Sequence, residues 1–228
     1  MGELCSVSKQ LSSMSLADKP TQVVKSYSAI TKNSTRKDDK ETEVPVSKTK
    51  VLRSNKDVLT DASFGPLSSA LTYWYLESKV ESETNWKDNL KKLVTVKSKE
   101  DLWEMHNYLE LCSNLEVGCA YFVFKQGVLP DWSTEENANG GRWVSWESDS
   151  EKLNDKWHQL LTMFVTEPSR LMNGIVVTKK KWRSSLAVWV KNAEVVEELY
   201  NISDKIRQFL SRDIELKFHV HKNHKSLK

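Results

Sequence analysis

In Pro130-Asp131-Trp132-Ser133-Thr134-Glu135-Glu136-Asn137-Ala138-Asn139-Gly140-Gly141-Arg142-Trp143-Val144-Ser145-Trp146, a polar loop bearing one tryptophan runs through a turn into a strand bearing two more. Asn139-Gly140-Gly141 supplies the turn, and the residues from Arg142 to Trp146 have the aromatic and β-branched character of a strand. Trp132 is of another kind, because turn formers and charges flank it on both sides and leave little apolar surface to pack against. Trp86 sits in the same setting, within Glu83-Thr84-Asn85-Trp86-Lys87-Asp88. Two such rings could clamp a flat, electron-poor ring between them, and a cationic nucleobase suits them better than a neutral one. The competing reading makes both rings partly buried loop anchors, and periodicity alone slightly favours it.

Outward from this stretch, Leu71–Leu76, Leu93–Val96, Ala120–Phe124, Ile175–Lys180, Leu186–Val190 and Leu216–His221 also read as strands, and the short spacings between several favour antiparallel hairpins. Three amphipathic helices are expected. Ser98 and Asp101 form a loose capping box for Leu102, Met105 and Leu109. The other two carry Leu153, Trp157, Leu160, Leu161 and Phe164, and Val195, Leu199, Ile202, Ile206 and Phe209. Each stripe must lie on a sheet, so the expected class is α+β, with helices on one face and the other left free.

The chain of 228 residues has room for one domain and a tail. All nine tryptophans fall between residues 74 and 189, while residues 1–60 hold one Tyr, no Phe and no Trp. Such a segment cannot bury enough apolar surface to offset its ordering entropy, so 1–60 is expected to be a disordered tail and 61–228 the folded domain. Thirty-four basic residues nearly balance thirty-one acidic ones, and a net charge of +3 argues against a generic polyanion binder. Cys5, Cys112 and Cys119 have no metal-ligand spacing, and their odd number argues against a disulfide framework, as suits a reducing cytoplasm. No apolar run reaches the length of a membrane span and no secretory leader is evident. Met1-Gly2-Glu3-Leu4-Cys5-Ser6 matches a short N-myristoylation pattern, which is permissive enough to arise by chance.

The ordered series of Gly65-Pro66-Leu67, Trp74, Asn85-Trp86-Lys87, Lys99-Glu100-Asp101-Leu102-Trp103, Gly118 to Lys125, Pro130-Asp131-Trp132, Gly140-Gly141-Arg142-Trp143, Asn173 to Val177 and Leu186-Ala187-Val188-Trp189 resembles the eukaryotic translation initiation factor 4E family over residues 64–222. The resemblance implies a curved antiparallel sheet with helices on its convex back, and a pocket in its concave front for the 7-methylguanosine cap of messenger RNA. Trp86 and Trp132 would be the rings that sandwich the methylated base, whose positive charge adds cation–π attraction to stacking, about 1–3 kcal/mol per ring. The family's base-reading Glu is here Ser133, which would trade two charge-assisted bonds for one weaker one and lower affinity tenfold or more, roughly 1–3 kcal/mol. Asp131 or Glu135 could substitute only in a shifted loop.

For the triphosphate, the resemblance implies Arg142 and the basic run Lys179-Lys180-Lys181-Trp182-Arg183. Lys180 stands at a family Arg position, Trp182 and Ser185 at family Lys positions, and Lys181 and Arg183 are expected to compensate. Pro66, Trp103 and Leu161 would belong to the dorsal surface that receives the Tyr-x4-Leu-apolar helix of an initiation factor 4G-type scaffold or of 4E-binding repressors. Lys99 and His158 replace apolar residues there and should weaken or redirect that groove.

Trp143, Trp146, Trp157 and Trp189 are expected to be core, and His219, His221 and His224 surface residues rather than a metal site. The chain ends soon after the last strand, so the wall beside the cap's second nucleotide is expected to be shortened. Without a glycine-rich phosphate loop, a metal-spaced carboxylate pair or a Cys beside a base, an enzyme is not expected, and no cofactor is. The expected function is a cytoplasmic, cap-binding initiation factor, with a repressor-type or partner-binding paralogue of weakened cap affinity as the alternative.

Overall fold

The computed structural model describes residues 65–78 and 86–221. The expected tail at 1–60, the Met1–Ser6 pattern and His224 lie outside them. Seven strands, β1 (Pro66–Leu76), β2 (Leu90–Ser98), β3 (Ala120–Lys125), β4 (Gly141–Glu147), β5 (Met172–Thr178), β6 (Ser184–Val190) and β7 (Lys217–Val220), form one sheet in the order β2-β1-β3-β5-β6-β4-β7. Every neighbouring pair is antiparallel. The helices are α1 (Lys99–Tyr108), α2 (Glu135–Ala138), α3 (Ser150–Thr166) and α4 (Val196–Leu210). The α+β curved antiparallel sheet read from the sequence is therefore the fold, and α2, a single turn inside the Trp132 loop, is too short to have left a periodic signal.

Alternation along the strands separates two apolar faces. On the back, Tyr73, Tyr75, Tyr121, Val123, Ile175, Val177, Leu186 and Val188 are buried. The Tyr73 hydroxyl donates to the Leu102 carbonyl of α1 at 3.3 Å, which fixes this as the helix side. α3 lies against β4 and β5 and also against α4. Its Leu153, Trp157, Leu160, Leu161 and Phe164 are buried as their spacing requires, each such side chain contributing roughly 1.5–3 kcal/mol.

Helix starts follow their caps. Ser98 accepts from the Asp101 amide at 3.1 Å, and Asp149 accepts from the Glu151 and Lys152 amides. In α4 the buried stripe is Leu199, Ile202, Ile206 and Leu210; Val195, expected in it, is the exposed N-cap residue, and Phe209 is only partly covered.

The front face carries a second core cluster of Ala120, Phe122, Phe124, Val144, Val176, Ala187 and Trp189. Register aligns Trp74, Phe122, Val176, Ala187 and Val144 in one row, and Phe124, Gly174, Trp189, Arg142 and His219 in the next. Against this cluster pack the half-buried Trp74, Trp132 and Trp146. A face left open by the helices is thus paved with aromatic surface, which marks a binding surface rather than a plain solvated one.

Candidate functional site

The front cleft has a volume of about 470 Å³, within the range of small-ligand sites, and is lined by Trp86, Trp132, Pro130, Trp146, Trp189, Arg142, Lys180, Ser185 and His219 among others. The two tryptophans singled out for their polar surroundings line the same cleft. Trp86 opens the 3-10 turn Trp86–Asn89 ahead of β2, and Trp132 stands in the loop between β3 and β4.

The residues beside the two rings hold the two loops together. Lys87 Nζ meets Asp131 Oδ2 at 2.6 Å. Asp131 is 1% exposed, and its Oδ1 accepts from the Ser133 amide at 2.9 Å and the Ser133 hydroxyl at 2.8 Å. Burial pushes the Asp131 carboxyl up, but the Lys87 ammonium and the two Ser133 donors outweigh it and hold the group below the ordinary carboxylate range. Asp131 therefore cannot serve as a base-reading carboxylate, because it is turned under the loop. Ser133 is exposed and does not line the cleft; its hydroxyl proton is committed to Asp131.

Asn137 fixes the remainder of the loop. It is fully buried, and its Nδ2 donates to the carbonyls of Leu129 at 2.8 Å and Asp131 at 3.0 Å. Its Oδ1 accepts from Asn173 Nδ2 of β5 at 2.9 Å, and its carbonyl lies 2.8 Å from His221 Nδ1. His221, expected at the surface, is buried here against the Trp189 ring, with centroids 4.5 Å apart. The loop is thereby hydrogen-bonded to the central strand β5 and to His221 just past the edge strand β7, and buried networks of this kind specify one geometry. The following glycines allow close approach: a Cβ at Gly140 would overlap the Val190 carbonyl, and one at Gly141 would lie 2.5 Å from the Phe218 ring.

Two cations line the cleft. Arg142 is half-buried with its guanidinium 5.9 Å from the Trp189 ring centre, and burial lowers its pKa. Lys180 lines the cleft. Lys181 and Arg183 do not. Lys181 lies over the Trp182 ring at 5.2 Å, whereas Arg183 pairs with Glu215 at 2.6 Å and stacks on Trp146 at 5.3 Å. Trp157 and Trp189 are core as expected, Trp189 belonging to the front cluster while also lining the cleft; Trp146, expected as core, is a half-buried wall of the cleft, and Trp143 goes to the back against Phe218. Strand parity held the missing signal, since Trp146 and Trp189 align with Arg142 on one face while Trp143 alternates to the other.

On the opposite surface, Trp103 of α1 is half-buried between two histidines, with centroids 5.8 Å from His106 and 5.0 Å from His158 of α3. His158 Nδ1 and His106 Nε2 are 3.3 Å apart. Burial, with the neighbouring His158 as the smaller cause, pushes the His106 imidazole down to about 4. His158 is lowered by burial, with Asp155 acting the other way. Pro66 is exposed at the start of β1. Leu161, expected on this surface, is fully buried; helical phase turns it into the core and brings His158 out instead. Among the described residues there is no cluster of three metal-ligating side chains, and no helix long and apolar enough to cross a membrane.

The family model for eukaryotic initiation factor 4E matches residues 66–228. This chain belongs to that family. It is 29% identical over 160 residues to initiation factor 4E of Candida albicans, covering 67% of this chain and 76% of the relative. The human factor is 27% identical over 167 residues, covering 69% and 76%. Among solved structures, C. elegans initiation factor 4E-3 in complex with the 4E-binding protein Mextli and a cap analogue superposes with a TM-score of 0.66 at 27% identity, covering 70% of this chain and 94% of that one. Ascaris suum initiation factor 4E-3 in complex with an m2,2,7G cap gives 0.65 at 25% identity, covering 72% and 96%. Within the initiation factor 4E family, then, this member carries its two loop tryptophans beside a Lys87–Asp131 pair and its dorsal Trp103 between two histidines.

Proposed function

We propose that this protein binds the 7-methylguanosine cap of messenger RNA in the front cleft and acts in the cytoplasm as a translation initiation factor that joins capped RNA to an initiation factor 4G-type scaffold. One observation carries the reading: Trp86 and Trp132 line the same cleft as Arg142 and Lys180. Two indole faces suit a base made cationic by N7 methylation, and the cations suit a triphosphate. Trp189 and Trp146 complete the walls. The cap complexes of the 4E-3 relatives support a cap as the ligand. An initiation factor of this kind is a binding protein and not an enzyme.

The dorsal surface around Pro66 and Trp103 is the docking face for a partner helix, as the Mextli complex of the C. elegans relative supports. A repressor-type role is the second reading. Lys99 at the start of α1 and His158 beside Trp103 make that face more polar than an apolar groove, which favours a narrower choice of partner.

The deciding experiment compares retention of wild type, Trp86→Ala and Trp132→Ala on immobilised 7-methyl-GTP, with elution by free ligand. Each variant should lose affinity by about tenfold or more, the worth of one stacked ring. Undiminished retention of both variants would remove the site assignment.

A further inference from the structure

Trp182 has no part in the cleft, yet it is 80% exposed, more than any other large apolar side chain among the described residues. It stands in the turn between β5 and β6, where a solvated hairpin tip needs no indole. Its neighbours define what it fits. Lys180 lines the cleft, Lys181 lies 5.2 Å over the Trp182 ring, and neither is engaged by a carboxylate among the ion pairs of the described residues. Arg183, by contrast, is held by Glu215 and packed on Trp146, so it braces the tip from below. A polyanion leaving the cleft past Lys180 therefore meets a second cation and then an open aromatic face, the alternation by which proteins hold single-stranded nucleic acid without reading its sequence.

We propose that Lys181 and Trp182 form an accessory subsite that stacks a base of the RNA following the cap triphosphate. The proposal rests on the cap reading and extends it from the modified nucleotide to the body of the transcript. Lys181 neutralises the chain's first phosphodiesters, while the indole takes a base face, larger purines being favoured over pyrimidines. Because any base has a π-face, the subsite raises affinity for capped RNA without selecting a message.

The test measures binding of the full chain to three probes: 7-methyl-GTP, a short capped oligoribonucleotide beginning with adenosine, and the same oligoribonucleotide uncapped. Wild type should bind the capped oligomer more tightly than 7-methyl-GTP. Trp182→Ala should lose about tenfold on the capped oligomer and nothing on 7-methyl-GTP, while Trp182→Phe keeps most of the gain. Equal binding of the capped oligomer by wild type and Trp182→Ala would overturn the subsite, as would an equal loss on both capped probes. Wild type that binds 7-methyl-GTP no better than the uncapped oligomer would instead overturn the cap reading, and the subsite with it.

Discussion

Ser133 shows how far one side chain's role depends on the residue two positions before it. A hydroxyl next to Trp132 reads in the sequence as a weaker replacement for a base-reading carboxylate. In the structure, its proton is spent on Asp131 at 2.8 Å, and the side chain does not line the cleft. Ser133→Glu should therefore strengthen 7-methyl-GTP binding by about tenfold, since a carboxylate at this exposed position has no hydroxyl to turn back on Asp131 and can accept two charge-assisted bonds. Calorimetric titration of both proteins checks this, and an unchanged affinity would mean that position 133 does not face the base. Trp86 and Trp132 stand out in the sequence as large rings among charges, although periodicity alone slightly favours loop anchors; both line the cleft, and Trp132 also packs against the front cluster. The fate of Ser133 was not legible, because it depends on Asp131 being buried and paired with a residue distant in sequence.

Among the elements, the two loops that present the tryptophans are joined by the Lys87–Asp131 pair and braced by Asn137. An ion pair between surface groups is worth little, but Asp131 is buried, so removing Lys87 strands a carboxylate. Lys87→Met should lower stability by about 1–2 kcal/mol and weaken cap-analogue binding, while Lys87→Met with Asp131→Asn should recover most of the stability. Thermal unfolding of the three variants tests it; equal melting of Lys87→Met and wild type would mean the pair does not hold.

The α1–α3 contact makes a pH prediction. His106 titrates at about 4 in the folded protein against an ordinary value near 6.5, so below about 6.5 the unfolded chain takes up a proton that the folded chain refuses. The His106 contribution should be level above that point, fall by on the order of 3 kcal/mol as pH drops towards 4, and level again below it, where the depressed carboxylates of Asp131 and Glu147 begin to cost stability instead. His106→Phe should flatten this slope in a melting-temperature profile, and an unchanged slope would place the titration elsewhere. Strands and long helices were legible from period and caps. Helix phase was legible too: the periodic stripe already held Leu161 and left His158 off it, and it was the dorsal role implied by the resemblance that Leu161 did not meet.

At the scale of the whole molecule, one sheet separates two binding surfaces. On its back lie α1 and α3, with α4 packed against α3, and the outer side of α1 and α3 presents Trp103 with its histidines. Its front is covered by no helix among the described residues and is aromatic, with Arg142 and Lys180 lining the cleft. Hydrophobic periodicity alone showed that one sheet face would be left uncovered, whereas the assignment of Trp146 and Trp189 to that face needed the register between β4 and β6. Quenching of intrinsic tryptophan fluorescence by 7-methyl-GTP, with GTP titrated in parallel, asks whether the aromatic front takes a methylated guanine. Strong saturable quenching by 7-methyl-GTP, with at least about tenfold weaker quenching by GTP, is the predicted result. Equal quenching by both nucleotides, or none by either, would contradict it.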